Sequence, residues 1–556
     1  MSGGQAAQAG GGFARPATPA RRALLARLLR PAGAVLAAAA VSFAGIGSHS
    51  LWTPDEPRDA AIGKAMWASG DLVMPRLNGS PFLEKPPLAW WAQAAAFRTL
   101  GVSDAVARVA PACFATLTLL VAFALGTRLG GPRAGWLAAG ALASAAEFSE
   151  DMGRAIVDPA LVLMVALAYA GFVVLVTPRP RAEEAGGIHP AAGRESRGIH
   201  PAAGLARWGA CLLIAAAVPL AFLAKGIVGI GLALGPPVLY LLATARRRTG
   251  SGDAAGAAPA PARQGLRETA RLLAPLALLG APLFAAIVLP WALALLHEGG
   301  WAALRECLVG NTVGRLLSTE AGRAYGHRQP FWYYLPAGAA ALLPWSLALP
   351  AMLRGGGSSP AWAPRGASVP GESAGAGSRL LTACFLIGVL LLSLAASKRA
   401  LYLVPLLPAI AVPIGLWLDR VGRGGPRSRW DRPTALLMLG LAALLPAALW
   451  IGAWEGARGA FRSFPAAPLR AELTGGSLAA AGAAAAAVGV LLLFRLARHL
   501  RTGTTPTGPW LVLPYLALAL VYQTAVKAAV DPLKNLHDLT AAVARLDPGA
   551  GPVAAY

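Results

Sequence analysis

Between Trp52 and Trp91 the chain reads WTPDEPRDAAIGKAMWASGDLVMPRLNGSPFLEKPPLAWW, which gathers Asp55, Glu56, Arg58, Asp59, Asp71, Glu84 and Lys85 into one segment. A second acidic group comprises Glu147, Glu150, Asp151, Arg154 and Asp158, the last directly before Pro159. Two carboxylates brought to a cleft partly shielded from water suit deprotonation of a hydroxyl, because burial raises a carboxyl pKa toward the working pH. Cations at the same cleft suit a phosphate leaving group, whose developing charge Lys and Arg stabilise. Together these groups describe glycosyl transfer from a lipid phosphate. The plainer account is that such charges solvate a loop and pair with one another. That account is favoured for Asp71, Glu147 and Glu150, and the functional one for Asp55, Lys85 and Asp158.

The elements that must hold these groups are membrane helices. Of the 556 residues, 56% are hydrophobic and 13% charged, with a mean hydropathy of +0.55, too apolar for a hydrated surface. A span needs about 20 apolar residues. Such windows centre at about residues 40, 118, 141, 168, 216, 236, 284, 342, 388, 409, 443, 485 and 517, which predicts about thirteen spans. The net charge of +23 sits in short arginine clusters between apolar runs and not in one basic domain, so it reads as topology and not as nucleic-acid binding. Arg128 and Arg133, Arg179 to Arg197, Arg246 to Arg248, Arg354 and Arg365, Arg420 to Arg427, and Arg495 to Arg501 fall in every second loop. That alternation predicts a cytoplasmic N-terminus.

The expected division is a basic cytoplasmic tail (1–31), a polytopic body (32–526) and a short outside tail (527–556). Within the body, 51–108 and 297–330 are outside loops. Arg58 to Ser69 reads as a short helix with Ala61, Ala65 and Trp67 among its packing residues, ended by Gly70, and such pieces can lie on the membrane surface. The lysines contrast with the arginines: Lys64, Lys85, Lys225, Lys398, Lys527 and Lys534 all fall on the outer side. Lys527 and Lys534 are attributed to chance. Lys85, Lys225 and Lys398 each sit at the outer edge of a span, where a cation needs an anionic partner. GIHPAAG at 187–193 recurs at 198–204, and its His189 and His200 read as a duplicated linker and not as metal ligands. The four cysteines are far apart and form no disulfide framework.

The segment built on Asp55-Glu56-x-Arg58 and Glu84-Lys85-Pro86-Pro87-Leu88 resembles the first periplasmic loop of the aminoarabinose lipid A transferases and, more distantly, of the protein O-mannosyltransferases, both of the GT-C class. Further motifs follow in order: Gly153-Arg154 ahead of Asp158-Pro159, Lys225-Gly226, Asn311 and Arg315, His327-x-x-Pro330-Phe331-Trp332-Tyr333-Tyr334, and Ser397-Lys398-x-x-x-Tyr402-x-x-Pro405. The resemblance implies an all-α membrane bundle with surface helices in its first outside loop. It implies Asp55 as the base that activates the acceptor and Asp158 as completing the acidic site, which Glu84 is read as helping to shape. It also implies that Lys85 and Lys225 contact polyprenyl phosphate and that Tyr333 and Tyr334 line the cavity; Arg58 and Lys398 are read as further cations that hold the phosphate. The expected partners are a polyprenyl-phosphate sugar donor and a lipid or protein acceptor. No cofactor is assigned; a divalent metal is left open, with His327 as its one candidate contact. There is no P-loop and no GxGxxG at a strand-to-helix junction, so no nucleotide is expected. A transporter of lipid-linked sugars is the rival class; it would place charges at the midplane of broken spans and repeat its architecture in two halves. Two departures stand out. Position 59 is Asp where the aminoarabinose transferases usually carry Tyr, and the tail resembles a truncated α/β domain.

Overall fold

The computed structural model describes residues 19–177, 201–247, 262–310, 328–354, 371–423, 428–458, 476–506, 508–528 and 531. The architecture is a helical bundle. Its helices run α1 (Pro19–Phe43), α2 (Asp55–Ser69), α3 (Leu88–Leu100), α4 (Asp104–Ala107), α5 (Val109–Gly130), α6 (Pro132–Ala143), α7 (Ala146–Asp151), α8 (Asp158–Val176), α9 (Pro201–Lys225), α10 (Ile227–Arg247) and α11 (Ala262–Arg305). They continue as α12 (Tyr334–Ala341), α13 (Leu349–Arg354), α14 (Gly371–Leu394), α15 (Leu407–Gly422), α16 (Asp431–Arg458), α17 (Gly476–Thr502) and α18 (Gly508–Val521).

Among the described residues, 8 helices are long and apolar enough to cross a membrane, so the chain is a multi-pass membrane protein. These 8 contain the expected centres at residues 118, 168, 216, 236, 284, 388, 409 and 517. The expected centre at 342 falls instead on a break: the segments Phe331–Ala341 and Trp345–Met352 meet at 104°. Pro344 explains it, since it has no N–H to continue the helical ladder and disfavours helix at Leu343 before it. Counting that bent pair as one crossing gives up to 9. The centres at 40, 141, 443 and 485 lie within α1, α6, α16 and α17. Of these, Pro31–Phe43 is a shorter apolar helix and α6 has 12 residues, below the length of a full crossing.

The buried middle of the bundle is formed by α15 and α8, the latter packed against α5 and α9. Because α8 is apolar on every face, it is surrounded on all sides, as such a helix must be. Its N-terminus carries Asp158, and its far end carries Thr177, whose carbonyl accepts from Arg128. Arg133 and Arg423 both pair with Asp419, so these arginines collect at the end of the bundle remote from Asp158.

The near end is built around one buried ion pair. Arg108 and Glu56 are both 0% exposed. Arg108 Nε donates to Glu56 Oε1 at 2.8 Å and Nη2 to Oε2 at 3.1 Å. Its remaining N–H groups reach the carbonyls of Ile46 (2.9 Å), His49 (2.8 Å) and Ser50 (2.7 Å). Glu56 also accepts from the backbone N–H of Trp52 at 3.0 Å and of Ala155 at 2.8 Å. One guanidinium and one carboxylate thus tie together the end of α1, the start of α2, the top of α5 and the turn before α8. Burial pushes the Glu56 carboxyl up, but Arg108 and the two amides hold it below its ordinary value. The stability this contributes is present above the ordinary carboxylate range and is lost as pH falls through the lowered value.

Helix α2 runs from Asp55, earlier than the Arg58 expected, to Ser69, and Gly70, at φ 74°, closes its C-terminus. Its packing face is Ala60, Ile62, Gly63 and Met66, whereas Trp67 is 40% exposed. The face differs from expectation because Glu56 in the first turn, held inward by Arg108, fixes the rotation of the whole helix. Asp71 then caps a turn through the amides of Val73 (2.9 Å) and Met74 (3.0 Å).

Replacing Arg108 by Met should lower stability by about 3–5 kcal/mol, since it leaves Glu56 buried and unpaired. The check is the thermal midpoint in detergent, with Arg108→Met/Glu56→Met recovering much of the loss.

Candidate active site

A cavity of about 130 Å³ opens beside the first turn of α2, lined by Asp55, Arg58, Asp59, Glu84, Lys85, Asp158, Lys225, Arg399 and Tyr402 among others. The helix period explains why consecutive residues part company: Glu56 points to Arg108, and Asp55, about 100° away around the axis, points into the cavity. Asp158 arrives at the first turn of α8, favoured there by the helix dipole, and Lys225 at the last turn of α9. Their side chains meet in an ion pair. Glu84 and Lys85 come from the segment ahead of α3, where Pro86 and Pro87 hold helix formation off until Leu88.

Asp55 lies between two arginines, 3.0 Å from Arg58 and 2.9 Å from Arg399. Burial pushes its carboxyl up, but the Arg399 hydrogen bond and charge, with Arg58 and Lys85, hold it down at about 2. The sequence reading expected a carboxylate raised toward neutrality; the arginines reverse that sign. Arg58 also reaches Asp59 at 3.4 Å and stacks over Phe82 at 5.8 Å. The Lys225 ammonium sits 4.7 Å from the centre of the Tyr402 ring. Among the described residues, Lys85 has no carboxylate within ion-pair distance, unlike Arg58, Lys225 and Arg399.

A second cavity of about 310 Å³ adjoins the first, sharing Glu84, Lys85, Lys225, Ser397 and Tyr402 with it. Its remaining walls are apolar, from Leu161, Ile227, Val228, Leu232, Leu391, Leu392 and Pro405. The two together form a charged chamber opening into an apolar one, with lysines at the junction.

Three expected residues stand elsewhere. Lys398 is 4% exposed and donates to the carbonyls of Gln329 (2.9 Å) and Ala395 (2.6 Å). The stretch around it is extended, with Ser397 bridged to Arg328, so alternate side chains face opposite ways. Ser397 and Arg399 face the cavity and Lys398 turns away. Tyr333 and Tyr334 pack on each other, ring centres 5.2 Å apart, and neither borders the two chambers, where Tyr402 stands.

The second acidic group forms a different environment. Asp151 is buried and takes a 3.1 Å bond from Arg154. Burial, then the charge of Glu147, pushes it up to about 8 despite Arg154. Glu150 pairs with Lys527 at 3.4 Å. Lys527 is thus a buried partner and not a stray charge. Among the described residues no group of three or more His, Cys, Asp or Glu could hold a metal ion. His189, His200, Asn311, Arg315, His327 and Lys534 lie outside the described residues.

The resemblance read from the motifs is found in every comparison. The family model described as dolichyl-phosphate-mannose-protein mannosyltransferase matches residues 42–298. The undecaprenyl phosphate-alpha-4-amino-4-deoxy-L-arabinose arabinosyl transferase of Pseudomonas aeruginosa is 30% identical over 405 residues, 73% of this chain and 62% of that protein. Its namesake in Edwardsiella ictaluri is 28% identical over 402 residues, 71% and 61% of the two chains. This chain therefore spans less than two thirds of these relatives. Among solved structures, ArnT from Cupriavidus metallidurans bound to undecaprenyl phosphate superposes with a TM-score of 0.65 at 21% identity, covering 95% of this chain and 81% of that one. Its apo form gives 0.62 at 22% identity. The fold is the GT-C membrane fold of ArnT.

With Arg399 replaced by Ala, burial should dominate at Asp55 and its pKa should rise from about 2 toward the ordinary carboxylate range. Infrared difference spectra of Arg399→Ala against Arg399→Ala/Asp55→Asn should show that rise in the carboxyl band, and Lys398→Ala should leave the band unmoved.

Proposed function

We propose that this ArnT- and PMT-like chain is a membrane glycosyltransferase that moves a sugar from a polyprenyl-phosphate donor to a hydroxyl or phosphate of a lipid acceptor. The observation that carries this reading is the pair of adjoining chambers with Lys85 at their junction. A polyprenyl phosphate is an apolar chain ending in an anion. The apolar chamber suits the chain, and the lysines at its mouth suit the phosphate. The names of the Pseudomonas and Edwardsiella relatives and the lipid in the Cupriavidus structure support the same donor class.

In the proposed step the acceptor oxygen attacks the anomeric carbon of the donor sugar. The bond from that carbon to the phosphate oxygen breaks, the lipid phosphate leaves, and the acceptor proton passes to Asp55. Lys85 and Lys225 balance the leaving charge, while Asp158 holds Lys225 in place and Glu84 borders both chambers. In the free protein Asp55 is a weak base, because Arg58 and Arg399 stabilise its anion. An arriving phosphate competes for both guanidinium groups. As they turn to it, burial is left to raise the Asp55 carboxyl, so donor binding itself strengthens the base.

The topology follows the same logic. The end of the bundle holding Arg128, Arg133 and Arg423 is taken as cytoplasmic by the positive-inside rule, which makes the chambers periplasmic and the N-terminus cytoplasmic. The division into tail 1–31, body 32–526 with outside loops 51–108 and 297–330, and tail 527–556 is part of this reading. A protein Ser or Thr acceptor is the second reading, favoured by the mannosyltransferase family match over residues 42–298.

The decisive experiment is transfer in proteoliposomes from a panel of polyprenyl-phosphate sugars to lipid and to peptide acceptors. Asp55→Asn should lower kcat at least about 100-fold, the usual span of a general base; equal product from wild type and variant would remove Asp55 from the chemistry. Lys85→Ala should chiefly raise the donor KM. The acid limb of kcat should lie at higher pH than that of kcat/KM, since the first reports Asp55 with donor bound and the second the free protein held at about 2. Coincident limbs would refute the release of Asp55 by the donor.

A further inference from the structure

The end of the span Gly508–Val526 and the residues Lys527 and Asp531 beyond it are bound to the start of the first outside loop and to Ser149 and Glu150 by contacts that the transfer step does not use. Gln523 accepts a 3.0 Å hydrogen bond from Ser48 through its carbonyl and donates through its side chain to the carbonyl of Ser149. The chains approach so closely that a Cβ on Gly45, at φ 75°, would stand 2.2 Å from the Gln523 carbonyl oxygen. One turn on, Lys527 is 1% exposed and donates to the Glu150 carbonyl at 3.2 Å. Asp531 completes the series: its Oδ1 accepts from Ser50 N (2.9 Å), Ser50 Oγ (2.5 Å) and Trp52 Nε1 (3.0 Å).

These contacts converge on Trp52. Its indole N–H is held by Asp531, its ring lies 4.6 Å from that of His49 and 5.6 Å from the Lys527 ammonium, and its own backbone N–H donates to Glu56. Trp52 precedes Asp55 by one short turn, so whatever fixes Trp52 fixes where α2 begins and where Asp55 points.

We propose that Asp531 is a positioning residue for the transfer reaction, latching Ser50 and Trp52 so that Asp55 keeps its place at the cavity; this rests on the transferase reading above. The carboxylate touches neither chamber, so it acts on the rate through the loop and not through donor contact. Asn at 531 keeps an oxygen able to accept the same bonds, whereas Ala removes all of them.

The test uses the full chain in proteoliposomes with Asp531→Ala, Asp531→Asn and Trp52→Phe. Asp531→Ala should lower kcat about tenfold or more, the effect of losing hydrogen bonds to a charged group, with the donor KM within about twofold of wild type. Asp531→Asn should stay within about threefold, and adding Trp52→Phe to Asp531→Ala should cost less than the separate losses combined. Hydrogen exchange at the Ser50 amide should rise about tenfold in Asp531→Ala and little in Asp531→Asn. Unchanged Ser50 exchange, a kcat within twofold of wild type in Asp531→Ala, or equal losses in the Ala and Asn variants would overturn the latch. A wild type that transfers no sugar would overturn the transferase reading instead, and the exchange arm would still decide the latch on its own.

Discussion

A fully buried arginine whose every N–H is used is a severe constraint, and at the near end of this bundle the chain is arranged to meet it. Arg108 spends its donors on both oxygens of Glu56 and on the carbonyls of Ile46, His49 and Ser50. A buried ion pair seldom stabilises a protein more than apolar packing of the same volume would. Its effect is to make other arrangements costly, because shifting any of these segments strands a charge or a donor in a region of low dielectric. The chain is thereby confined to one register between α1, α2 and α5. Asp55 inherits its position from its neighbour: with Glu56 anchored, the helical turn leaves Asp55 no direction but toward the cavity.

The cavity itself is governed by a second electrostatic balance. Carboxylates and cations interleave, Asp55 with Arg58 and Arg399, Asp158 with Lys225. Near a bilayer such pairs are screened less than in water. A phosphate entering this network must displace carboxylates from cations, and the side chain it meets without such competition is Lys85. The apolar chamber matters for the same reason, since chain burial at about 25 cal/mol per Å² supplies free energy that can offset breaking an existing ion pair. Headgroup and tail are thus coupled in the proposed donor: the tail's burial drives the exchange of ion-pair partners that leaves Asp55 more basic.

The local parts of this design were legible in the sequence, and the distant parts were not. Asp55, Arg58, Glu84 and Lys85 stand close together in one hydrophilic segment, and Asp158 and Lys225 betray themselves as charges at span ends; all of them line the cavity. Arg108 looked like the boundary of a loop, because its meaning depends on Glu56 at a separation of 52 residues. Arg399 hid beside Lys398. A lysine among arginines drew attention, whereas the extended backbone at 397–399 decides which side chain faces inward, and no hydropathy window reports that alternation. Lys527 and Asp531 passed for a stray charge and a tail residue for the same reason, since their partners, Glu150 for the one and Ser50 and Trp52 for the other, lie hundreds of residues earlier in the chain. Hydropathy placed helices well but could not foresee that Pro344 would bend one crossing through 104°.

The two acidic groups show why residue type alone cannot assign a base. Asp55 is held at about 2 and Asp151 is pushed up to about 8, although both are partly or wholly removed from water. The difference is in their companions. Asp55 has two arginines, whereas Asp151 shares its surroundings with Glu147 and Glu150 and has Arg154 as its near cation. A raised pKa beside a cleft ordinarily suggests a proton-transfer role, yet Asp151 borders neither chamber. Burial acts the same way on both, raising each carboxyl, and the direction each finally takes is set by charge: the like charge of Glu147 adds to burial at Asp151, while the hydrogen bond and charge of Arg399, with Arg58, overcome it at Asp55. The base is therefore assigned by which carboxylate reaches the chambers and by what a ligand would do to its companions, and on both counts Asp55 and not Asp151 qualifies.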